Sequence, residues 1–343
     1  MPKVWAQGSL TPPGAPGATM KTLDQVYSKL EPRTPISSSP FTISAPGSYY
    51  LTTNLVGVSG NSGVTIASGN VVLDLNGFAL SGVSGSSAGV YISGAYTNIT
   101  VRNGSISGWG TFGVDGYGTA MNVVLERLNV SGITAGHGIV VYNGVVSDCM
   151  ACKNGGCGID ADHSTVRDCH ADYNASHGIL AVNSTVRECH AGNNTGHGIY
   201  AENSTVRECH ADYNGQYGVY ALWSTVSGCY VSYNGLSGVY VDAPYCQIIG
   251  NNCFLNNINS NSTIQAGIYI NDRNNRVEDN HVNYNGNAGI SVNSGYSGNV
   301  IIKNTVSGNG GNNFLVPGSQ VVGPLITTYG TITNLNPWAN FSF

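Results

Sequence analysis

The chain is predicted to fold as an all-β solenoid, on three observations: a repeat of twenty residues, an apolar pattern of period two inside each copy, and turn residues that punctuate every copy. The repeat is plainest in Asn183-Ser184-Thr185-Val186-Arg187-Glu188-Cys189-His190-Ala191, which returns unchanged at Asn203–Ala211. In the same frame cysteine stands at 149, 169, 189, 209 and 229 and asparagine at 154, 174, 194, 214 and 234. Gly followed by Ile or Val stands at 138, 158, 178, 198, 218 and 238. Looser copies at Gly89-Val90, Gly267-Ile268 and Gly289-Ile290 extend the repeat from about 50 to about 310.

Each element follows in chain order. Residues 1–19 are Pro/Gly-rich and extended. Met20 to Leu30 reads as one short amphipathic helix, with Leu23, Val26, Tyr27 and Leu30 on one face and Pro32 stopping it. Residues 1–40 thus form a leader and an N-terminal capping helix that covers the open first coil, whose strand edges would otherwise invite end-to-end pairing. Residues 41–310 form the solenoid. Within a copy Ile199 and Ala201 point inward, Tyr200 and Glu202 outward, and Val206 inward between Thr205 and Arg207. Such short strands bury nothing alone and must stack on their neighbours. Twenty residues suit three strands and three turns, and about a dozen coils at ~4.8 Å each make a rod on the order of 55–60 Å long. Residues 311–343 leave the repeat and supply Phe314, Trp338, Phe341 and Phe343 to cap the other end.

Composition narrows the function. Of 343 residues only 9% are charged, 47 are glycine, and the net charge is −5. With 13 Lys+Arg against 18 Asp+Glu no basic stripe faces a phosphate backbone, which argues against nucleic acid as a partner. No apolar run is long enough to span a bilayer. The start lacks the apolar stretch of a signal peptide, although Val4-Trp5-Ala6 suits the end of one whose front was removed.

The stretch Val72-Leu73-Asp74-Leu75-Asn76-Gly77-Phe78, the recurring Asn-x-x-x-Gly-Ile turns and the inward polar column carry a resemblance over roughly residues 40–310. The sequence resembles the right-handed parallel β-helix repeat proteins of the pectin-lyase-like superfamily. The resemblance implies a right-handed, single-stranded parallel β-helix. It implies no single activity, because that superfamily holds lyases, hydrolases, epimerases, phage tailspikes and proteins without known chemistry. The flanks Gly8–Pro16 and Asn336–Phe341 look like the ends of secreted bacterial β-helix proteins, which implies a secreted or cell-surface location. Gly136-His137-Gly138 and Gly196-His197-Gly198 resemble the Gly-His-Gly of polygalacturonase-like hydrolases, but the Asn-Thr-Asp, Asp-Asp and Arg-Ile-Lys of that family do not occur in this chain.

In a solenoid, residues one period apart stack, so each feature is a column. The cysteine column is expected to face inward as packing, continued by Asn252, Asn280 and Asn304. Cys149, Cys152 and Cys157 with His163 have a zinc-like spacing, yet Cys149 faces in and Cys152 out, so their thiols diverge. Cys152–Cys157 and Cys246–Cys253 disulfides are open alternatives. His170, His190 and His210, with His281 in phase, form a second column, either a solvated turn or a holder of metal or anions. Asp168, Glu188 and Glu208 beside Arg167, Arg187 and Arg207 read as a surface charge ladder.

The outward positions of the Gly-Ile strand collect tyrosines and acids on one face. Tyr142, Tyr200, Tyr220, Tyr240, Glu202 and Asp242 are the expected glycan-binding residues, the rings offering flat apolar surfaces to sugar C–H faces. The resemblance places the superfamily's glycan groove on this sheet. Asp160 and Asp162, two apart on one strand, leave it some ~6–7 Å apart, which suits two catalytic carboxylates about a glycosidic bond, or a calcium site completed by Glu202 or Asp115. Two functions follow. The first is an extracellular module with a structural or glycan-binding role; the second is a polysaccharide lyase, glycoside hydrolase or epimerase acting at Asp160/Asp162. No cofactor is required by either, calcium fits the acids, the partner is a polysaccharide or cell-surface glycan, and the sequence leaves oligomers open.

Overall fold

The computed structural model describes residues 21, 32–116, 118, 120–257, 265–330, 333 and 336–343. These form a parallel β-helix. Sheets of 13, 17 and 8 strands wrap one continuous core. Successive coils pair one period on: Ile159 opposite Ile179, Ile179 opposite Ile199, Ile199 opposite Val219. A coil begins with a strand of the 13-stranded sheet such as Ile179–Val182, turns at Ser184 into Thr185–Arg187 of the 17-stranded sheet, and turns at Cys189 into His190–Gly192 of the 8-stranded sheet. It turns a third time at Asn194. Ile179, Ala181, Val186 and Ala191 from that coil are fully buried.

The first and third corners are tied to the next coil by ladders of small polar side chains. At the first, Ser164, Ser184 and Ser204 each donate a backbone N–H to the serine hydroxyl one coil on, and the column continues as Cys246, Asn275 and Asn299. At the third, Asn194 accepts from the N–H and amide of Asn174, and donates to Ala171 O (2.9 Å) and Asn214 Oδ1 (3.0 Å). Buried polar groups must be paired, and this column pairs them coil by coil. It also explains the recurring glycine. A Cβ on Gly178 would lie 2.6 Å from Asn194 Nδ2 and 2.7 Å from Gly198 O, so the ladder amide occupies the space a side chain would need.

The middle corner differs from expectation by one residue. The cysteine column passes to Asn251, not Asn252: Cys229 N–H donates to Asn251 Oδ1, and the ladder continues through Asn280, Asn304 and Asn340. Asn252 pairs instead with Tyr230 and His281 on the outer face. The coil that holds Asn251 is two residues longer than the regular unit, which shifts the frame. The wind also extends beyond 41–310. Thr34–Ile36 already pairs with Gly47–Leu51, and Phe314–Leu315, Val321–Val322 and Asn340–Ser342 each pair on the coil before them. The expected capping helix lies outside the described residues, apart from Lys21. Among the described residues no helix is long and apolar enough to cross a membrane.

All nine cysteines are free thiols, so neither conceivable disulfide forms. Eight are buried and Cys152 is half-buried, and Cys149 and Cys152 face apart as the spacing requires. Neighbouring thiols and burial push Cys149, Cys169, Cys189 and Cys209 up, Cys169 to about 12, and burial raises Cys152, Cys157, Cys246 and Cys253. A raised thiol is a weak nucleophile and a poor ligand, which fits packing.

Candidate functional site

The outer face of the 13-stranded sheet assembles as one column: Tyr91, Asp115, Val140, Asp160, Leu180, Tyr200, Tyr220, Tyr240, Tyr269 and Ser291, each opposite the next. Beside it runs Tyr142, Asp162, Val182, Glu202 and Leu222. Tyr200, Tyr220, Tyr240 and Tyr269 form a continuous stack, with ring centroids 5.2, 5.4 and 5.4 Å apart. His177, His197, Tyr217 and Tyr240 make a second file, at 4.6, 5.2 and 4.3 Å. This corrects the expectation of open ring faces. The coil spacing is close to ring-stacking distance, so the tyrosines cover one another's faces and turn edges and hydroxyls to solvent.

The hydroxyls are tied to the acids. Tyr220 donates to Asp242 Oδ2 at 2.5 Å and Tyr200 to Glu202 Oε2 at 3.3 Å, while Asn271 and Asn293 extend the line from Asp242 by amide bonds of 2.7 Å. Burial, then the Asp242 carboxylate, pushes the Tyr220 phenol up, so it remains a neutral donor. Beyond Tyr269 the column continues as Ser291, and the missing ring opens a hollow of about 490 Å³ lined by Tyr269, Ser291, Asn293, Leu315 and Pro317. Tyr142 stands apart from the stack; its ring packs on His163 at 5.3 Å, with the Leu180/Val182 coil between Asp162 and Tyr200.

Asp160 and Asp162 project from the same strand but find different partners. Asp162 Oδ1 contacts His163 Nδ1 at 2.7 Å and accepts from Asn183 Nδ2 at 3.3 Å. Asp160 Oδ2 faces His137 Nε2 at 4.0 Å, in a hollow of about 370 Å³ lined also by Tyr91, Phe112, Asp115 and Val140. Burial pushes the Asp160 carboxyl up, against the pull of His137, with Asp162 a lesser contributor. Asp160 and His137 are therefore a closer chemical pair than Asp160 and Asp162. The sequence reading places His137 in a Gly-His-Gly triplet and does not pair it with Asp160. The signal was available: His137 precedes a Gly-Ile strand one coil before Asp160.

His137, His177 and His197 share one structural task. Their Nδ1 atoms accept the backbone N–H of Cys157, His197 and Tyr217 in the following coil, at 2.9, 3.0 and 3.4 Å. At His177 and His197, where burial lowers the imidazole, this makes the neutral ring the form the fold uses. Burial, with the His177 ring beside it, lowers His197 to about 3.

Comparison with known proteins bears on the fold. Residues 153–225 match the family model described as right handed beta helix region. No curated protein sequence matches the chain. Among solved structures, the A-module of the mannuronan C-5 epimerase AlgE6 of Azotobacter vinelandii superposes with a TM-score of 0.66 at 22% identity, covering 87% of this chain and 90% of that one. The A-module of AlgE4 from the same organism gives 0.66 at 19% identity, over 81% and 91%. A double mutant of the periplasmic alginate epimerase AlgG gives 0.51 at 12% identity, over 87% and 79%. At these identities the likeness is one of fold. With the coils, ladders and parallel registers above, it makes this chain a right-handed parallel β-helix.

Proposed function

We propose that this protein is a glycan-binding β-helix, exported to the cell surface or beyond, whose contact face is the outer side of the 13-stranded sheet. The observation that carries the reading is the stack of Tyr200, Tyr220, Tyr240 and Tyr269. It sets one hydroxyl-bearing ring edge per coil, at a step close to that of an extended pyranose chain. Glu202, Asp242 and Asn271 add acceptors and donors alongside it, and the hollow at Tyr269 and Leu315 offers one apolar seat. The solved structures of like fold named above include mannuronan C-5 epimerases. On this face, however, the described positions of the two outward columns hold acids and no Lys or Arg. Like charges repel, so the expected ligand is a neutral polysaccharide, or an acidic one only with calcium between.

A panel of neutral and acidic polysaccharides, run by affinity electrophoresis with and without calcium, tests this. Binding to a neutral glycan, weakened about tenfold by Tyr220→Ala and Tyr240→Ala without loss of fold, is the expected result. A second reading rests on Asp160. A protonatable carboxyl facing an imidazole in a hollow is the equipment of acid–base chemistry on a sugar chain, as in a lyase, hydrolase or epimerase. Release of reducing or unsaturated ends, or epimerisation of the chain's sugars, that stops in Asp160→Asn and His137→Ala would establish that reading instead, with Asp162 in a supporting place.

A further inference from the structure

We propose that His170, Asp172 and His190 bind a first-row divalent transition ion, with Asp212 holding the far side of the His190 ring. The site lies on the 8-stranded sheet and its edge, apart from the tyrosine face, and stands whether or not that face binds glycan. His170 and His190 are successive rungs of one column, with rings 5.6 Å apart. Asp172 shares a coil with His170 and reaches to the next: its Oδ1 is 2.7 Å from His190 Nδ1 and its Oδ2 is 3.9 Å from His170 Nδ1. One ligand atom from each of the three lies within 4.8 Å of the others. Two imidazoles and a carboxylate suit zinc, cobalt, nickel or copper better than calcium or magnesium. Three protein donors leave the remaining positions to water, and exposed His170 gives the ion a route in.

Two observations single out this rung. The residue two beyond the column histidine is Asp at 172 and 212 but Gly at 192, and a Cβ there would sit 2.7 Å from His190 Cε1 and 3.1 Å from Asp212 Oδ1. Glycine alone lets the ring lie between the two carboxylates. Moreover, Asp212 Oδ1 is buried without a hydrogen-bond donor, although His190 Nε2 is only 2.8 Å away. Both ring nitrogens of His190 thus face a carboxylate, Nδ1 that of Asp172 and Nε2 that of Asp212. An ion on Nδ1 would leave the ring's one proton on Nε2, facing Asp212. A carboxylate behind a ligating histidine is the usual second partner of such a ligand.

Titration of the full-length, chelator-treated protein with Co²⁺ and with Zn²⁺, under reducing conditions, tests the site by calorimetry and by the visible bands of cobalt. One ion per chain is expected. Asp172→Asn and His170→Ala should each weaken binding by tenfold or more and Asp212→Asn by about tenfold, with circular dichroism unchanged. His281→Ala, in the same column but outside this cluster, should change nothing. The proposal is overturned if no stoichiometric binding occurs or if Asp172→Asn binds as well as the parent. It is overturned too if cobalt shows a thiolate charge-transfer band that vanishes in Cys152→Ser, since the half-buried Cys152, one coil before Asp172, would then be the ligand.

Discussion

Between residues 149 and 229 the corner before the 8-stranded sheet is lined by cysteine, whereas from 251 to 340 the same corner is lined by asparagine. The two linings are equally buried but bond differently. Asn280 accepts from Asn251 through its N–H (2.9 Å) and its amide (3.0 Å), and donates to Ile248 O (2.8 Å) and Asn304 Oδ1 (3.0 Å). Cys189 Sγ donates to Arg187 O within its own coil, at 3.1 Å, and meets its neighbours in the column thiol to thiol, at Cys169 and Cys209. The difference follows coil length. Neighbours in the third-corner ladder are 20 residues apart through the cysteine region, while in the asparagine region the middle-corner spacing runs 29, 24 and 36. Identical coils align themselves through identical strands and the asparagine ladder of the next corner. Coils of unequal length need a side chain that bonds across the gap and so sets which residue lies above which.

That contrast can be tested by removing one member from each lining. Asn280→Ala leaves a buried N–H and two carbonyls without partners, and should lower stability by about 2–4 kcal/mol. The urea midpoint measures it, and a loss below half that size would mean the amides are dispensable. Acid should separate the two regions next. The His197 ring is neutral in the folded state and titrates near 3, below its unfolded value of about 6.5. Between those values the unfolded chain binds more protons. The stability it contributes is therefore complete above about pH 6.5 and is lost as pH falls toward 3, by up to about 1.4 kcal/mol per pH unit. Hydrogen exchange at pH 5 should show the coils around His177 and His197 loosening before those of Asn280 and Asn304, and His197→Gln should remove much of the slope. The smallest effect belongs to Cys189→Ala, which deletes one sulfur from an apolar corner and should cost about 1 kcal/mol or less. A cost equal to that of Asn280→Ala would erase the distinction.

Much of this is legible in the sequence itself. The Gly-Ile strand, the inward Ile199 and Ala201 and the outward run from Tyr91 to Ser291 all follow from strict periodicity, because a residue's neighbour in a solenoid is its own counterpart one repeat away. The frame departs from that periodicity where the repeat changes length, at Asn251. The candidate site was less readable. Asp160 was found, but its partner His137 was not, since a turn side chain can lean onto either adjoining face and the pattern along a strand says nothing of which.

From sequence alone came the solenoid, its inward and outward columns, the divergence of Cys149 from Cys152, and the company of tyrosines and acids on one face. These depend on period and alternation, which the chain carries locally. Only the tertiary structure decided that the tyrosine rings stack and hide their faces, that Asp160 looks to His137, and that Gly192 lets His190 lie between Asp172 and Asp212. Those depend on rotamers chosen when neighbouring coils close to within a ring's thickness, a choice made between coils and written in neither of them singly.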